Sequence, residues 1–273
     1  MSAAHGSDAP ESVSVVVTVR NEQRHISDLL DSLVVQEGPL EILVVDAAST
    51  DKTRSIVRQY AERFPFVRLL ERAGTRAESR NYGVKESRSA IVAFIDGDCI
   101  ANPFWLRELR RQLRHSDVAA GRTIQIGYWA FEALHRVELG HRGYDVTFPS
   151  CNLAYKRGLF EKIGGFDGWF HTAEDIDLNY RAVDTGATIG YVEDAIVYHR
   201  ARDTFGKFFK QAYWNGYGRK QLTLKHGNLW SSYSFKRMFR QQLNFWGVLR
   251  LASASLGYIA GLLKEGSYPG RAA

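Results

Sequence analysis

The first half of the chain alternates short apolar runs with stretches in which apolar residues recur at helical spacing. The apolar runs cover residues 13–19, 41–45, 67–70 and 91–95. The stretches between them, including 26–34 and 77–84, place their apolar side chains on one face of a helix. Strands that alternate with helices in this way predict parallel βαβ units. We therefore expect residues 12–120 to form the nucleotide-binding half of an α/β sheet.

The second half, 121–232, is richer in aromatic residues and glycine and mixes helical stretches with short strands. We expect helices near 131–139 and 173–184, and strands near 188–192 and 195–198. No linker-like composition separates the halves, so we expect a single mixed, mostly parallel sheet with flanking helices. Residues 1–11 are polar and lack the basic start and apolar run of a secretory signal, which predicts a disordered lead-in.

Composition narrows the class of protein. With 273 residues, of which 45% are hydrophobic and 24% are charged, the chain can bury a sizeable core. The two cysteines, Cys99 and Cys151, are too few for a disulfide framework and fit a reducing compartment. The net charge of +6 admits an anionic partner such as a phosphate or a lipid head group. Because the basic residues are not interleaved with an aromatic platform, specific nucleic-acid binding is not expected.

Polar residues follow three of the predicted strands. The first strand runs into Thr18, Arg20 and Glu22, the second into Asp46 and Ser49, and the fourth into Asp96-Gly97-Asp98. Parallel strands bring such ends to one edge of the sheet, where α/β proteins bind their ligands. Asp46 is therefore a candidate for contacting a nucleoside, although each of these carboxylates also has an ordinary interpretation as a turn or capping residue.

The segment 76–81 adds two candidate nucleotide contacts. Arg80 offers a bidentate contact to a diphosphate, and Asn81 offers a hydrogen bond to the nucleotide. An arginine on a solvated helix face is the more common explanation of such a residue. The segment therefore gains weight only from its place between the second and fourth strands.

The order of these segments resembles that of the family 2 inverting glycosyltransferases of the GT-A fold. The matching stretches are 15–22, 42–53, 77–83, 91–98 and 151–181. The resemblance implies a GT-A, or nucleotide-diphospho-sugar transferase, fold over 12–232, in which Asp46 contacts the base of the donor. It also implies that Asp96 and Asp98, an Asp-x-Asp motif, hold Mg²⁺ or Mn²⁺ against the sugar-nucleotide diphosphate. Hard divalent cations prefer such oxygen ligands.

The resemblance also supplies a base. Inverting transfer needs a carboxylate that takes the proton of the acceptor hydroxyl. In the family this is the Asp of a Glu-Asp pair, which makes Asp175 the general base, with Glu174 beside it. The alternative is that both acidic residues only favour the N-terminus of the following helix. His199, after the strand at 195–198, is a candidate third metal ligand, and a histidine merely hydrogen-bonded at a strand end explains it nearly as well.

Three further residues are weaker candidates for acceptor or phosphate contacts. Asn152 and Trp169 are expected to line the acceptor pocket, although aromatic core packing explains Trp169 equally well. Arg219 is a candidate phosphate contact. Residues 210–219 only loosely resemble the Gln-x-x-Arg-Trp motif of processive relatives, because Trp214 stands where that motif has arginine. Processive polymer synthesis is therefore not expected.

The C-terminal part, 233–273, is expected to be helical and membrane-associated. Its apolar segment, 243–263, would carry one large apolar face and a second face of small residues that includes Gly257 and Gly261. Arg250 lies near the middle and would be costly inside a bilayer, which favours a helix lying in the membrane interface over a spanning one. The alternative is a helix packed on the catalytic domain or on another subunit.

Together these patterns predict a metal-dependent inverting glycosyltransferase. The donor would be a nucleoside-diphosphate sugar, with a UDP-sugar favoured, and the acceptor a hydroxyl of a sugar, a lipid-linked molecule or another compound. We expect a cytoplasmic protein held at the cytoplasmic face of a membrane. One alternative is a nucleotidyltransferase on a related α/β scaffold, although 18–22 lacks the glycine expected of its basic loop. The other is a non-catalytic module that binds anions or nucleic acid.

Overall fold

A computed structural model of the chain describes residues 11–127, 136–200, 204–233 and 244–270. Ten strands lie in these ranges: β1 (Val13–Val19), β2 (Leu40–Asp46), β3 (Val67–Glu71), β4 (Ile91–Asp96), β5 (Cys99–Ala101), β6 (Val118–Ile126), β7 (Gly140–His141), β8 (Tyr144–Asp145), β9 (Leu153–Lys156) and β10 (Ile189–Arg200). The α-helices in the same ranges are α1 (Ile26–Val34), α2 (Thr53–Arg63), α3 (Arg76–Glu86), α4 (Trp105–Leu113), α5 (Arg157–Lys162), α6 (Glu174–Asp184), α7 (Phe205–His226) and α8 (Phe245–Lys264). Strands β7 and β8 form a small separate hairpin.

The main sheet has the strand order β3-β2-β1-β4-β9-β6-β10-β5. Strands β3, β2, β1 and β4 are mutually parallel, and their register places Thr18 beside Val45 and Asp96. The ends of β1, β2 and β4 therefore meet at one edge, as expected from the sequence. The apolar runs of the first half are confirmed as strands, and the prediction of one mixed sheet with flanking helices is confirmed as well.

The second half completes the sheet through mixed pairings. Strand β9 is antiparallel to both β4 and β6, while β10 is parallel to β6 and antiparallel to β5. The two strands expected near 188–192 and 195–198 are one strand, β10, whose register shifts between Val192 and Ile196. The helix expected at 173–184 is confirmed as α6. The helix expected near 131–139 lies partly outside the described residues, and 136–139 are not helical.

The apolar strands are buried on both faces, which explains why their sequences are almost continuously apolar. Alternate residues point to opposite layers: Val15 and Val17 pack toward α1 and α4, and Val16 packs on the other side with Leu43 and Phe94. This double burial fixes each strand's register, because a shift of one residue would exchange its two faces.

Helix α8 packs along α7 through its small residues. A Cβ added to Gly257 would collide with the carbonyl of Tyr213, and one added to Gly216 of α7 would collide with the carbonyl of Ala254. Ser253 Oγ also donates a hydrogen bond to the Phe209 carbonyl at 2.9 Å. The helix is long and apolar enough to cross a bilayer, and 17% of its most apolar window is buried. Its remaining apolar face, from Phe245 to Leu263, is largely exposed.

Candidate active site

A cleft of about 2060 Å³ lies at the edge where β1 and β4 end, between the sheet, the start of α6 and the α7–α8 pair. Ten of the predicted site residues line it: Thr18, Arg20, Glu22, Asp96, Gly97, Asp98, Glu174, Asp175, His199 and Arg219. The other six are not among its lining residues: Asp46, Ser49, Arg80, Asn81, Asn152 and Trp169. The cleft exceeds the roughly 300–1,000 Å³ of a typical small-molecule site, which leaves room for two substrates.

The loops after β1 and β2 are tied together beside the cleft. Ser49 Oγ accepts a hydrogen bond from the Asn21 amide at 2.9 Å, and Thr53 Oγ1 accepts one from the Glu22 amide at 2.8 Å. Asn21 and Ala48 both adopt left-handed backbone conformations, with φ of 59°. Ser49, predicted as a nucleotide contact, is buried and holds the β1 loop in place. Its predicted contact with the nucleotide stays a prediction.

Asp46 is buried at the end of β2, next to Ala47 on the cleft wall. Its Oδ1 atom accepts the Ser49 amide at 2.8 Å. Its Oδ2 atom is buried and has no hydrogen-bond partner among the described residues. Leaving such an oxygen unsatisfied costs about 1–3 kcal/mol or more, and a ligand N–H would remove that cost.

Arg80 is committed to two carboxylates and not to the open cleft. Its Nη1 donates to Glu174 Oε1 at 2.8 Å and its Nη2 donates to Asp96 Oδ1 at 2.7 Å, with 2% of the side chain exposed. Burial alone would raise the pKa of Asp96, but the facing Arg80 outweighs it and holds that pKa below its usual value. The guanidinium is buried between Asp96 and Glu174, and the predicted contact of Arg80 with a diphosphate stays a prediction.

Arg76, which sequence reasoning missed, lies on the cleft wall, whereas Arg80 does not. It lies one turn earlier on α3, lines the cleft and has 54% of its side chain exposed. Its Nη1 lies 3.5 Å from Glu174 Oε1. Residues four apart share a helix face, so Arg76 and Arg80 lie on the same face of α3, and Arg76 is the more exposed of the two.

Asn81 and Asn152 are structural. Asn81 Nδ2 donates to the Phe166 carbonyl at 2.7 Å, and Asn81 Oδ1 accepts the Phe166 amide at 2.8 Å, which fastens the loop after α5 to α3. Asn152 is fully buried, accepts the indole N–H of Trp105 at 2.8 Å and donates to the Arg122 carbonyl at 3.0 Å. Neither residue lines the cleft, and their predicted contacts with the nucleotide and the acceptor stay predictions.

Trp169 and Arg219 also have protein partners. The Trp169 ring lies edge-on to Tyr268 at a centroid distance of 5.0 Å, so the core-packing interpretation of this residue is the one that the structure supports. Arg219 lies on the cleft wall, where Nη1 donates to the Tyr233 hydroxyl at 3.1 Å and Nη2 to the Val137 carbonyl at 2.8 Å. Its predicted contact with a phosphate or acceptor stays a prediction.

Asp98, Cys99 and His199 form a cluster of potential metal ligands at the junction of β5 and β10. One ligand atom from each lies within 4.8 Å of the others. His199 Nε2 is 3.4 Å from Asp98 Oδ1, and His199 Nδ1 is hydrogen-bonded to Gln125 Oε1 at 3.0 Å. Burial would lower the pKa of His199, but the hydrogen bond to Asp98 outweighs it and raises that pKa to about 9. Asp96 is absent from this cluster of described residues.

Asp175 stands at the start of α6 and faces the cleft. Its Oδ2 accepts the Ser150 amide at 3.1 Å and its Oδ1 accepts its neighbouring Ile176 amide at 2.8 Å. Burial and then the adjacent Glu174 charge raise the pKa of Asp175 to about 6. A carboxylate with this pKa is ionised at neutral pH and still basic enough to take a proton. Ser150 was missed by sequence reasoning, since a backbone donor leaves no signature in the side-chain sequence.

Buried polar contacts connect the first turn of α6 to the C-terminal end of α7. Asp177 is fully buried, and its Oδ1 lies 2.8 Å from both Lys225 Nζ and His226 Nε2. Burial would raise the pKa of Asp177, but the hydrogen bond with His226 and the charges of Arg181 and Lys225 keep it below its usual value. Ala173, immediately before the helix, has a left-handed backbone with φ of 68°. Helix α7 thus fixes the turn that presents Glu174 and Asp175.

Comparison with known proteins identifies the family. Residues 14–168, more than half of the chain, match the model of Glycosyl transferase family 2. The chain belongs to this family. The family assignment makes the protein an enzyme, a glycosyltransferase, and decides against a nucleotidyltransferase or a non-catalytic binding module. The match ends before Glu174 and Asp175, so the role of those residues depends on their geometry and on the resemblance described above.

Relatives of this family 2 glycosyltransferase cover most of its length. It is 30% identical over 228 residues to Glycosyltransferase AglE of Haloferax volcanii, which covers 77% of this chain and 73% of AglE. It is 27% identical to the Pre-mycofactocin glycosyltransferase of Mycobacterium tuberculosis over 78% of this chain but only 48% of that protein. The chain thus spans about half the length of some of the curated relatives that it matches.

Solved structures confirm the GT-A fold. Mannosyltransferase PcManGT from Pyrobaculum calidifontis, in complex with GDP-Man and Mn²⁺, superposes with a TM-score of 0.66 at 22% identity, covering 96% of this chain and 78% of that one. TarS 1-349 of S. aureus, in complex with UDP-GlcNAc, gives a TM-score of 0.61 at 20% identity over 92% of this chain and 81% of that one. At these identities the similarity establishes the fold.

Proposed function

We propose that this family 2 glycosyltransferase transfers a sugar from a nucleoside-diphosphate sugar to an acceptor hydroxyl with inversion at the anomeric carbon. The observation that carries the proposal is Asp175. It faces a cleft large enough for two substrates, is oriented by two backbone amides and has a pKa raised to about 6. The same cleft is lined by Thr18, Asp96 and Asp98 at the strand ends.

In the proposed reaction, Asp175 accepts the proton of the acceptor hydroxyl as that oxygen bonds to the anomeric carbon. The bond from this carbon to the diphosphate oxygen breaks, and the nucleoside diphosphate leaves with the bonding electrons. Attack from the face opposite the leaving group inverts the configuration. Glu174 stays paired with Arg80 and Arg76, so its charge raises the basicity of Asp175 without competing for the proton.

The donor would lie along the ends of β1 and β4. We propose that Asp46 Oδ2 accepts an N–H of the base and that Arg76 contacts the diphosphate. Thr18, Arg20, Glu22 and Gly97 border the same part of the cleft. A Cβ at Gly97 would come within 2.8 Å of Val19 Cγ1, so glycine lets the β4 loop approach β1 closely. A UDP-sugar is the favoured donor, in keeping with the UDP-GlcNAc complex of TarS, while PcManGT binds GDP-Man.

The donor set at the β4 end fits a divalent cation. Asp98 supplies a carboxylate, and His199 supplies an imidazole whose other nitrogen is fixed by Gln125. This set suits Mn²⁺ better than Mg²⁺, which keeps to oxygen ligands. A cation bound there would neutralise charge on the departing diphosphate. Asp96, predicted to share the cation, already faces Arg80, so we propose that it holds the guanidinium in place beside Glu174.

The acceptor would enter between the sheet and the α7–α8 pair. Lys207, Lys210 and Arg250 line this side of the cleft together with apolar residues of α8 such as Ile259. The outer face of α8 exposes Leu256 and Leu263 at 64% and 80%. A basic and apolar wall beside an exposed apolar face fits an acceptor with an anionic head and an apolar chain. We therefore propose a lipid-linked acceptor and peripheral attachment to a cytoplasmic membrane surface.

A screen of nucleotide sugars tests the donor and the reaction. We expect one UDP-sugar to raise the melting temperature and to be consumed with Mn²⁺, with NMR showing a product of inverted anomeric configuration. Asp175→Asn should lower transfer about 10²- to 10⁴-fold and leave the thermal shift by the donor intact. Asp184→Asn, on the same helix but outside the cleft, is the matched control. A retained configuration, or full transfer by Asp175→Asn, would overturn the proposal.

Liposome flotation tests the membrane surface. Leu256→Glu and Leu263→Glu should each weaken binding to vesicles that contain anionic lipid, because a charge would replace an exposed apolar contact. Val35→Glu, at a position 66% exposed directly after helix α1, serves as the control. Equal binding by all three variants and the unchanged protein would contradict the membrane role of α8.

A further inference from the structure

The potential ligands beside Asp98 include a thiol. In the antiparallel pairing of β5 with β10, Cys99 lies directly opposite His199, so their side chains occupy the same face of the sheet. Asp98 immediately precedes Cys99. The ligand atoms of these three residues lie within 4.8 Å of one another. A carboxylate and an imidazole that line the cleft thus lie close to a thiol that is buried just beneath them.

The imidazole is oriented in the manner typical of a metal ligand. The hydrogen bond between His199 Nδ1 and Gln125 Oε1, at 3.0 Å, fixes the ring. His199 Nε2 then points to the Asp98 carboxylate, 3.4 Å away. Metal-binding histidines are held in this way by a hydrogen bond from the nitrogen that does not bind the metal.

The thiol has a suitable position and no covalent partner. Cys99 Sγ is 3.9 Å from Asp98 Oδ1, and both cysteines of the chain are free. Cys151 is hydrogen-bonded to Cys99, and Thr123 Oγ1 lies 3.9 Å from Cys151 Sγ. Cys151 lines the cleft and Cys99 is fully buried beneath it, but only Cys99 belongs to the cluster formed with Asp98 and His199.

Asp96, the other carboxylate of the Asp-x-Asp motif, forms an ion pair with Arg80. Asp96 Oδ1 lies 2.7 Å from Arg80 Nη2, and the other guanidinium nitrogen of Arg80, Nη1, contacts Glu174. An oxygen-only site made of Asp96 and Asp98 would compete with this ion pair. A cation bound by Asp98, Cys99 and His199 would leave the ion pair of Asp96 with Arg80 intact.

We propose that Asp98, Cys99 and His199 together bind a thiophilic divalent cation, of the class of Zn²⁺, Co²⁺ and Cd²⁺, more tightly than Mg²⁺. Thiolate and imidazole ligands select these metals, whereas Mg²⁺ keeps to oxygen. Binding converts the Cys99 thiol to a thiolate, and its proton passes to solvent. Three protein ligands leave further positions for other ligands. The inference rests on the proposed function, since it concerns the cation site of the same cleft.

Cd²⁺ titration of the full-length protein, followed by ultraviolet absorbance, tests the sulfur ligand without measuring transfer. We expect a sulfur-to-metal charge-transfer band in the unchanged protein and in Cys151→Ser, and no band in Cys99→Ser. Competition with a chromogenic chelator should show Zn²⁺ affinity about 10- to 100-fold lower in Cys99→Ser than in Cys151→Ser. His199→Gln should keep the band at saturating Cd²⁺ and lose Zn²⁺ affinity by a similar factor. Thermal melting checks that each variant is folded.

The outcomes separate this inference from the proposed function. No band in the unchanged protein, a band that survives Cys99→Ser, or a band lost in Cys151→Ser would each overturn the thiolate site. Transfer restored by Mn²⁺ in a protein without the band would leave the proposed function standing. If the band is present in the unchanged protein and in Cys151→Ser and absent in Cys99→Ser, but the protein transfers no sugar, the metal site would be supported and the proposed reaction contradicted.

Discussion

The first half of the chain delivers its groups to the cleft from the ends of parallel strands, whereas the second half delivers them mainly from helices. Thr18 and Asp96 lie at the ends of β1 and β4, and Asp98 follows β4; burial on both faces fixes the register of these strands. Asp175 depends on the start of α6, which is braced by α7 through the buried Asp177. The strand ends thus form a rigid donor side, and the helices form an acceptor side whose shape depends on how they pack.

Arg80 joins the two sides. It lies on α3 in the first half, and its guanidinium bridges Asp96 of β4 and Glu174 of α6. A single buried cation thereby ties the donor edge to the turn that carries the proposed base. The buried pair of Arg80 with Glu174, together with the more exposed pair of Arg76 with Glu174, therefore connects the two sides of the site.

The largest expected effect comes from removing this bridge. Arg80→Met would leave two carboxylates without their shared cation, at a cost of about 3–5 kcal/mol in the free energy of unfolding. Urea denaturation measures the loss. Arg58→Met, which removes a solvent-exposed pair with Glu71, is the control and should change the stability little. A loss for Arg80→Met no greater than that of the control would show that the two sides are not joined by this residue.

A smaller effect is expected where α8 meets α7. Alanine is a better helix former than glycine by about 1 kcal/mol, so helix propensity alone predicts that Gly257→Ala stabilises the protein. We expect the opposite sign, a loss of about 1–3 kcal/mol, because the new Cβ would collide with the Tyr213 carbonyl.

Gly206→Ala is the control for this helix contact, since Gly206 lies within helix α7 and open space surrounds its Cβ position. Chemical denaturation of both variants gives the comparison. Stabilisation by Gly257→Ala would mean that α8 does not pack as closely on α7 as described.

The smallest expected effect concerns pH. Asp175 must be ionised to accept a proton, and its pKa is raised to about 6, so activity rises with pH through that value. With donor and cation supplied, kcat/KM at pH 5 should be about tenfold below its plateau, since about a tenth of Asp175 is ionised there. Asp184→Asn should keep this dependence. A flat profile from pH 5 to pH 7 would remove Asp175 as the titrating base.

The strands, the helix α6 and the carboxylates at the cleft were predictable because each depends on local pattern. Apolar runs mark buried strands, and a polar residue that ends such a run must lie near the sheet edge. The choice between Arg76 and Arg80 was not predictable in this way. Both lie on one face of α3, and only the position of Glu174, almost a hundred residues later, decides which arginine is buried.

The sequence by itself determined the α/β architecture, the edge at which the site lies and the acidic residues that the chemistry needs. Only the tertiary structure decided how those residues pair, because pairing depends on strands and helices that are distant along the chain. It turned Asp96 toward Arg80, and it brought His199 across from Cys99 beside Asp98. It also placed the small-residue face of α8 against α7, which leaves the apolar face outward. Local periodicity fixes which face a residue occupies, and long-range packing fixes what that face meets.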